Sequence, residues 1–569
     1  MRLNLCIATL ISVDINRKPA TGEGPVWYYA AFLVVVAIGV WLRLDQFSMQ
    51  VLLDDEWHVV HQLLSKSPGQ LISSFGQADF SIPLALFYWL ELKTIGLGEM
   101  EMRWPMMVAG IAAIAIFPAY VRRYLGEMTA LVFAFLLAIS PLLVIYSKTA
   151  RPYSLTILLS MLAMAVFYRF AASPRPAPWW GFAYFSATVL CGWLHLITVP
   201  MLFAPFLTVG LSALFARNFQ MLGRLFVLGL VTTSGLVAVL LPAFLGDPGA
   251  LGNKLGAHHP SLETLYGAWF SWLGTSSVFV VLVGLSLAAV GAGRAWRKLP
   301  ILPGLLTGLA LTAGIIAVIN PMWSQNPQTF ARYLLPATPI LLLLMATGIA
   351  VIGEQARKHW GKPVHWVIPG LVAGAVAFMA CTSPLQRLLA NPNSNQLHSL
   401  FRMDFRDEKN RIIAFQNHFP ISPYWNSLAS FPSDSLKITV SPFYFETYKW
   451  DAVRWEQRSG QRVMPGNLTG LCVDQWWGEA PQGSGYRFRN VAYLSNPADT
   501  LARGFDLVVF QKPARVNTGK VEFVHGEGTE KCEHILRSLY GPALYEDEYV
   551  VVFPTSGEVR AKLDVGPYE

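Results

Sequence analysis

The sequence predicts an α-helical polytopic membrane protein with a C-terminal α/β or α+β domain, and three observations predict it. Of the 569 residues, 53% are hydrophobic and only 14% charged, a composition foreign to a soluble chain of this length. The apolar residues gather in eleven runs, all before residue 383. Beyond that point charges alternate and turn-rich stretches such as 391–395 and 482–485 appear. Residues 1–382 carry 23 basic and 14 acidic residues, whereas 383–569 carry 20 and 21. The net charge of +8 therefore belongs to the membrane part, and a nucleic-acid partner has no support.

A helix crosses a bilayer with about 17 to 25 apolar residues. That ruler gives spans near 26–44, 104–121, 127–146, 153–170, 179–195, 198–215, 225–245, 275–293, 300–320, 333–353 and 364–382. The segment Ile82–Ile95 is apolar but short and carries Glu91 and Lys93. Loop charge arbitrates, because basic loops stay cytoplasmic and one extra span inverts every later loop. With 82–95 left at the interface, Arg122 and Arg123, Arg169 and Arg175, Arg217 and Arg224, Arg294, Arg297 and Lys298, and Arg357, Lys358 and Lys362 all fall inside. The segment is thus expected to be a juxtamembrane or re-entrant helix.

Residues 1–25 are expected to form a cytoplasmic tail: residues 1–12 mimic a short signal peptide, but polar residues 14–24 follow without a clear small-residue cleavage site. The membrane domain covers 26–382, with an outer loop at 45–103. Eleven spans place 383–569 outside, in the periplasm or its equivalent. There, strand-like runs 436–440, 505–510 and 548–553 alternate with helical patterns at 404–418 and 532–540. Five cysteines without a CxxC exclude a disulfide scaffold or zinc array; Cys472 and Cys532 would face oxidising conditions, paired or independent. No nucleotide-binding glycine loop and no repeat appears.

Three clusters on the outer side carry chemistry. Asp54, Asp55 and Glu56 open the amphipathic stretch 55–65. Acids there complement a helix dipole, or place a carboxylate where it accepts a proton from a hydroxyl or helps bind a metal. The run SPLLVIYSKTARPYSL, 140–155, sets Lys148 and Arg151 three residues apart on the outer face, against the positive-inside trend, with Tyr153 beside them. Such cations either snorkel to headgroups or hold a phosphate, arginine as a fork and lysine as a point charge. In QTFARYLLP, 328–336, Arg332 and Tyr333 lie at an outer helix end; read as an N-terminus, that end favours Arg332 only beside an anion. His195, at the end of a span, and the loop residues His258 and His259 are further candidates, although adjacent histidines rarely face one metal.

The order of first span, outer DDE, interfacial 83–92, Arg103-Trp104-Pro105, SPLLVIYSKTARPYSL and ARYLLPATP resembles the GT-C superfamily of polytopic glycosyltransferases. It is nearest in pattern to the bacterial protein O-mannosyltransferase-like and aminoarabinose-transferase-like branch. The likeness covers about residues 26–355. It implies a multi-pass protein of the bacterial inner membrane that transfers a sugar from a polyprenyl-phosphate donor to a lipid, polysaccharide or protein acceptor on the periplasmic face. Carried over, the family's outer acid falls on Asp55, with Glu56 and Asp54 as neighbours, and the cations on Lys148, Arg151 and Arg332, with Tyr333. His195 stands where relatives often carry Thr-His. Relatives' His-Pro-Pro-Leu is replaced by Asp79-Phe80-Ser81-Ile82-Pro83-Leu84, which leaves the role of Asp79 open. Asp55 would act as base, the cations would hold the departing phosphate, and direct displacement would invert the anomeric carbon. No cofactor is expected, and without a DxD pair a divalent metal is not favoured. A diphosphate-lipid oligosaccharide ligase or phosphoethanolamine-type transferase is the nearest alternative. A transporter is the other, but it would bury charges at mid-membrane and repeat its halves.

Overall fold

The computed structural model describes residues 25–45, 47, 52, 54–76, 81–361, 364–381, 421–441, 452–465, 485–486, 497–502, 504–517, 522–525 and 530–564. The N-terminal tail, Asp79, the helix expected over 404–418 and Cys472 lie outside the described residues.

All eleven expected spans are helical where described, but not all reach the length and apolarity that alone mark a crossing. Eight do: Val26–Leu44, Glu99–Leu125, Tyr153–Ala172, Leu196–Phe215, Phe219–Gly246, Val278–Lys298, Leu302–Ile319 and Ala337–Trp360. A ninth is assembled from Glu127–Ile139 and Pro141–Ser147, which meet at 60°. The other two are shorter: Pro178–Leu194 has 17 residues, and the last apolar helix counts as Trp366–Cys381. Helices of that length reach about 25 Å, at the lower limit of what crosses a bilayer. By length and composition alone the described residues thus hold eight spans, or nine with the bent pair counted as one, and the two shorter helices stand at the margin of that measure. Ile82–Thr94, at 13 residues, is a helix too short to cross.

The 60° bend has an identifiable cause. Pro141 lacks an N–H, so the carbonyl of Leu137 loses its helical partner. Arg43, at the end of the first helix and fully buried, fills the gap. Its Nη2 donates to Leu137 O (3.2 Å), its Nη1 to Ala138 O and Gly39 O (3.0 Å each), and its Nε to Ser147 Oγ (3.1 Å). Gly110 leaves the room for this: a Cβ there would come within 2.0 Å of Ser147 Oγ.

Val278–Lys298 and Ala337–Trp360 pack backbone to backbone. A Cβ on Gly291 would lie 2.0 Å from Leu344 O, and one on Gly348 would lie 2.0 Å from Leu287 O. Gly293, two residues along, would meet nothing within 4 Å. Gly291→Ala is expected to destabilise the protein by about 1–3 kcal/mol through overpacking, and Gly293→Ala to be neutral or mildly stabilising through helix propensity. Thermal unfolding in detergent compares the two; equal melting temperatures would contradict the contact.

Loops from distant parts of the chain meet at one rim of the bundle. Lys148 reaches Asp45, Arg151 reaches Asp55, Lys254 reaches Phe75 and Thr264 reaches Gln325. The C-terminal part contributes a five-stranded sheet in the order β2-β1-β3-β7-β6, from β1 (Lys437–Ser441), β2 (Arg462–Pro465), β3 (Leu507–Gln511), β6 (Tyr545–Glu546) and β7 (Val550–Pro554), while β4 (Ala514–Asn517) and β5 (Glu522–His525) form a separate antiparallel pair. β1 runs parallel to β2 and β3, while β7 is antiparallel to β3 and β6. The period of two is visible in the packing. Leu507, Val509, Val550 and Val552 face a core with stacked Trp425 and Trp455, whereas Val508, Phe510, Val551 and Phe553 face the helix Glu530–Tyr540. Helices on both faces and parallel central pairs make this an α/β arrangement. Cys532, on that helix, is disulfide-bonded, its partner lying outside the described residues. One strand-like contact joins this part to the rim: Leu97 N donates to Gly485 O (2.9 Å), with Tyr486 packed against the juxtamembrane core.

Candidate active site

The juxtamembrane helix Asp54–Ser65 starts with its acids in the first turn, where exposed N–H groups favour negative charge. The structure gives Asp55 and Glu56 different partners. Glu56 is fully buried and grips Arg103 in a fork, Nε to Oε1 at 2.9 Å and Nη2 to Oε2 at 2.6 Å. Its Oε1 also accepts the backbone N–H of Ala150. Glu56 thereby ties three elements together: its own helix, the start of Glu99–Leu125, and the turn carrying Lys148 and Arg151. The Asp54 side chain lies outside the described residues.

Asp55 faces the other way. Its Oδ2 accepts Arg332 Nη1 at 2.7 Å, with the two side chains 8% and 10% exposed. Its backbone carbonyl accepts Arg151 Nη1 at 3.2 Å. Aromatic rings surround the pair. Arg332 lies over Tyr333, 5.6 Å from the ring centre, and Tyr333, His195, Tyr153 and Tyr146 follow one another at centroid spacings of 6.3, 5.4 and 4.8 Å. An acid, two guanidiniums, an imidazole and three phenols thus share one low-dielectric site at the bundle's rim. Such a site strengthens charge interactions with a bound anion and orients an acid for proton transfer.

Arg332 requires a correction. It stands in the last turn of a separate seven-residue helix, Pro327–Tyr333, not at the N-terminus of the span that follows. Asn326 starts this short helix by accepting from Gln328 N and Thr329 N, and Trp272 Nε1 holds Ala331 O. The dipole therefore favours Arg332 where it is, and its anionic neighbour is Asp55.

The predicted residues are not all gathered. Asp55, Arg151, Tyr153, His195, Arg332 and Tyr333 come together. Lys148 Nζ instead donates to the backbone carbonyl of Asp45, beside the end of the first helix. His258 and His259 are exposed, and the ring of His259 lies 3.2 Å from Ala317 O. Among the described residues no group of three or more His, Cys, Asp or Glu assembles a metal site. Two residues of the site are not singled out by the sequence. Arg103 enters it only within Arg103-Trp104-Pro105, although a cation at the outer start of a span breaks the positive-inside trend as Lys148 and Arg151 do. Tyr146 carried no signal separating it from a core aromatic.

Burial lowers the Lys148 pKa to about 8, with Asp45 opposing and Arg43 and Arg103 reinforcing the shift. Its positive charge is complete well below that value and is lost as pH rises through it. KM for an anionic substrate is expected to rise about tenfold between pH 7.5 and 9 in the natural protein and to stay flatter in Lys148→Arg. Matching pH profiles would remove Lys148 from anion binding.

Many apolar helices around a rim where buried acids and cations converge define a multi-pass membrane protein with a buried charged site. Residues 81–243 match the family model described as dolichyl-phosphate-mannose-protein mannosyltransferase. The match covers 163 of the 569 residues, so the likeness is that of this segment. The matched segment contains Arg103, Lys148, Arg151, Tyr153 and His195 and leaves out Asp55 and Arg332. Among solved structures, the chain is similar to ArnT from Cupriavidus metallidurans in the apo state, with 12% identity, TM-score 0.45, and 94% of this chain and 98% of that chain covered. It is likewise similar to the same protein bound to undecaprenyl phosphate, with 11% identity, TM-score 0.45, and 94% and 99% covered. The archaeal oligosaccharyltransferase AglB from Archaeoglobus fulgidus matches with 10% identity, TM-score 0.37, and 89% and 75% covered. No curated protein sequence matches the chain.

Proposed function

We propose that this membrane glycosyltransferase takes a sugar from a polyprenyl-monophosphate donor and passes it to an acceptor hydroxyl at the rim, with inversion at the anomeric carbon. The observation that carries this reading is the meeting of Asp55 with Arg332 and Arg151 in one buried site. Asp55 takes the acceptor's proton while Arg332 and Arg151 bear the growing charge on the departing phosphate. The family description, a sugar on a polyprenyl monophosphate, supports the donor class. Lys148 is an outlying cation of the same rim, and His195 and the tyrosines supply faces and donors for a sugar ring. The rim is read as periplasmic, because the opposite loops carry the arginines of the positive-inside pattern. The domain from residue 383 onward would then stand over it and bear on the choice of acceptor.

The test uses the purified full chain in lipid nanodiscs with radiolabelled sugars on polyprenyl monophosphate and on polyprenyl diphosphate, presented with envelope extracts as acceptor source. Transfer from the monophosphate is expected. Faster transfer from the diphosphate would overturn the donor assignment in favour of a ligase.

A further inference from the structure

The Asp55–Arg332 contact joins two groups that the proposed reaction needs apart. Asp55 Oδ2, engaged at 2.7 Å by a guanidinium, is a poor proton acceptor, and Arg332 Nη1 already has an oxygen partner. We propose that this pair is a lock opened by the donor. The lipid phosphate takes Arg332 from Asp55, and the freed carboxylate then becomes available to the acceptor, so the donor binds first. The inference rests on the glycosyl-transfer reading of the same site.

The surroundings are built for such an exchange. Both side chains lie in the protein interior, where opposite charges held together offset the cost of burial. A phosphate monoester or diester offers several oxygens to a planar fork, which makes it a strong competitor for arginine. Arg151 holds the backbone carbonyl of Asp55, so the residue stays anchored when its side chain loses Arg332. Tyr333 lies beneath the guanidinium and gives it an apolar face on which to swing. In the transfer step the acceptor's O–H proton passes to Asp55 Oδ2 and the new O–C1 bond forms. The C1–O bond to phosphate breaks with its electron pair on the phosphate oxygen, facing Arg332 and Arg151.

Farnesyl phosphate, with farnesol as its uncharged control, tests the lock in nanodiscs by direct binding. Removing the competing carboxylate by Asp55→Asn is expected to tighten farnesyl phosphate binding on the order of tenfold. That gain should vanish in an Arg332→Gln background. Unchanged or weaker binding by folded Asp55→Asn, or a gain that survives Arg332→Gln, overturns the lock. Should Asp55→Asn not fold, the infrared difference spectrum of the natural protein decides: farnesyl phosphate must shift a carboxylate stretch, and no shift overturns the proposal. If the natural protein binds farnesyl phosphate no better than farnesol, the monophosphate reading falls too; specific binding without any of these signs sinks the lock alone.

Discussion

Asp55→Asn is expected to lower kcat by about 10²–10⁴-fold, the range that a positioned general base contributes. The substitution keeps shape and hydrogen bonding but removes the proton-accepting charge, so KM for the donor should not rise. Glu56 is a poor candidate for the same role, because both its oxygens are held by Arg103 and one also by the Ala150 amide, without exposure to solvent. Initial rates with a polyprenyl-phosphate sugar, on variants shown to be folded by size-exclusion profile, measure the effect. A variant retaining half of the natural rate would remove Asp55 from the chemistry.

The second large effect concerns stability. Arg103→Ala leaves the Glu56 carboxylate buried without its cation, which costs about 3–5 kcal/mol when a buried pair is broken from one side. The loss should exceed that of the paired change Glu56→Gln with Arg103→Met, since removing both charges removes the uncompensated one. Thermal unfolding in detergent reads the difference. Arg103→Ala should also depress activity, because Glu56 fixes the turn from which Arg151 reaches Asp55. If the single change proves no worse than the double, the pair is not what holds the rim.

Much of this architecture can be read from the chain because the bilayer is a simple solvent: every backbone group in it must be paired within a helix, so length and hydropathy suffice to find the segments. The same simplicity breaks down at 60° bends and short helices. Pro141 interrupts a run that reads as one span, and Pro327–Tyr333 is a separate turn of helix that reads as the start of the next one. In the soluble part, alternating runs located β1, β3 and β7 to within one or two residues. At the rim, charge on the less expected side singles out Lys148 and Arg151 and a helix-end position singles out Arg332, but neither signal says which partner each holds. Asp55 meets Arg332 across 277 positions and Glu56 meets Arg103 across 47, and no local pattern encodes such pairings. Glu56 and Asp55 are neighbours that a sequence cannot separate; a helical turn of about 100° per residue sends one into Arg103 and the other towards Arg332.

Arg43 has a consequence for how the chain is made. Apart from Gly39 O on its own helix, the carbonyls and hydroxyl that receive its guanidinium lie 94 to 104 residues downstream, so this helix leaves the ribosome well before any of them exists. Until residue 147 has been synthesised, that cation has only Gly39 O, lipid headgroups and water to turn to, and a long side chain near a helix end can reach them. Docking of Val26–Leu44 through Arg43 is therefore complete only once the bent pair Glu127–Ile139 and Pro141–Ser147 is in place, which ties segments about a hundred residues apart into one assembly step.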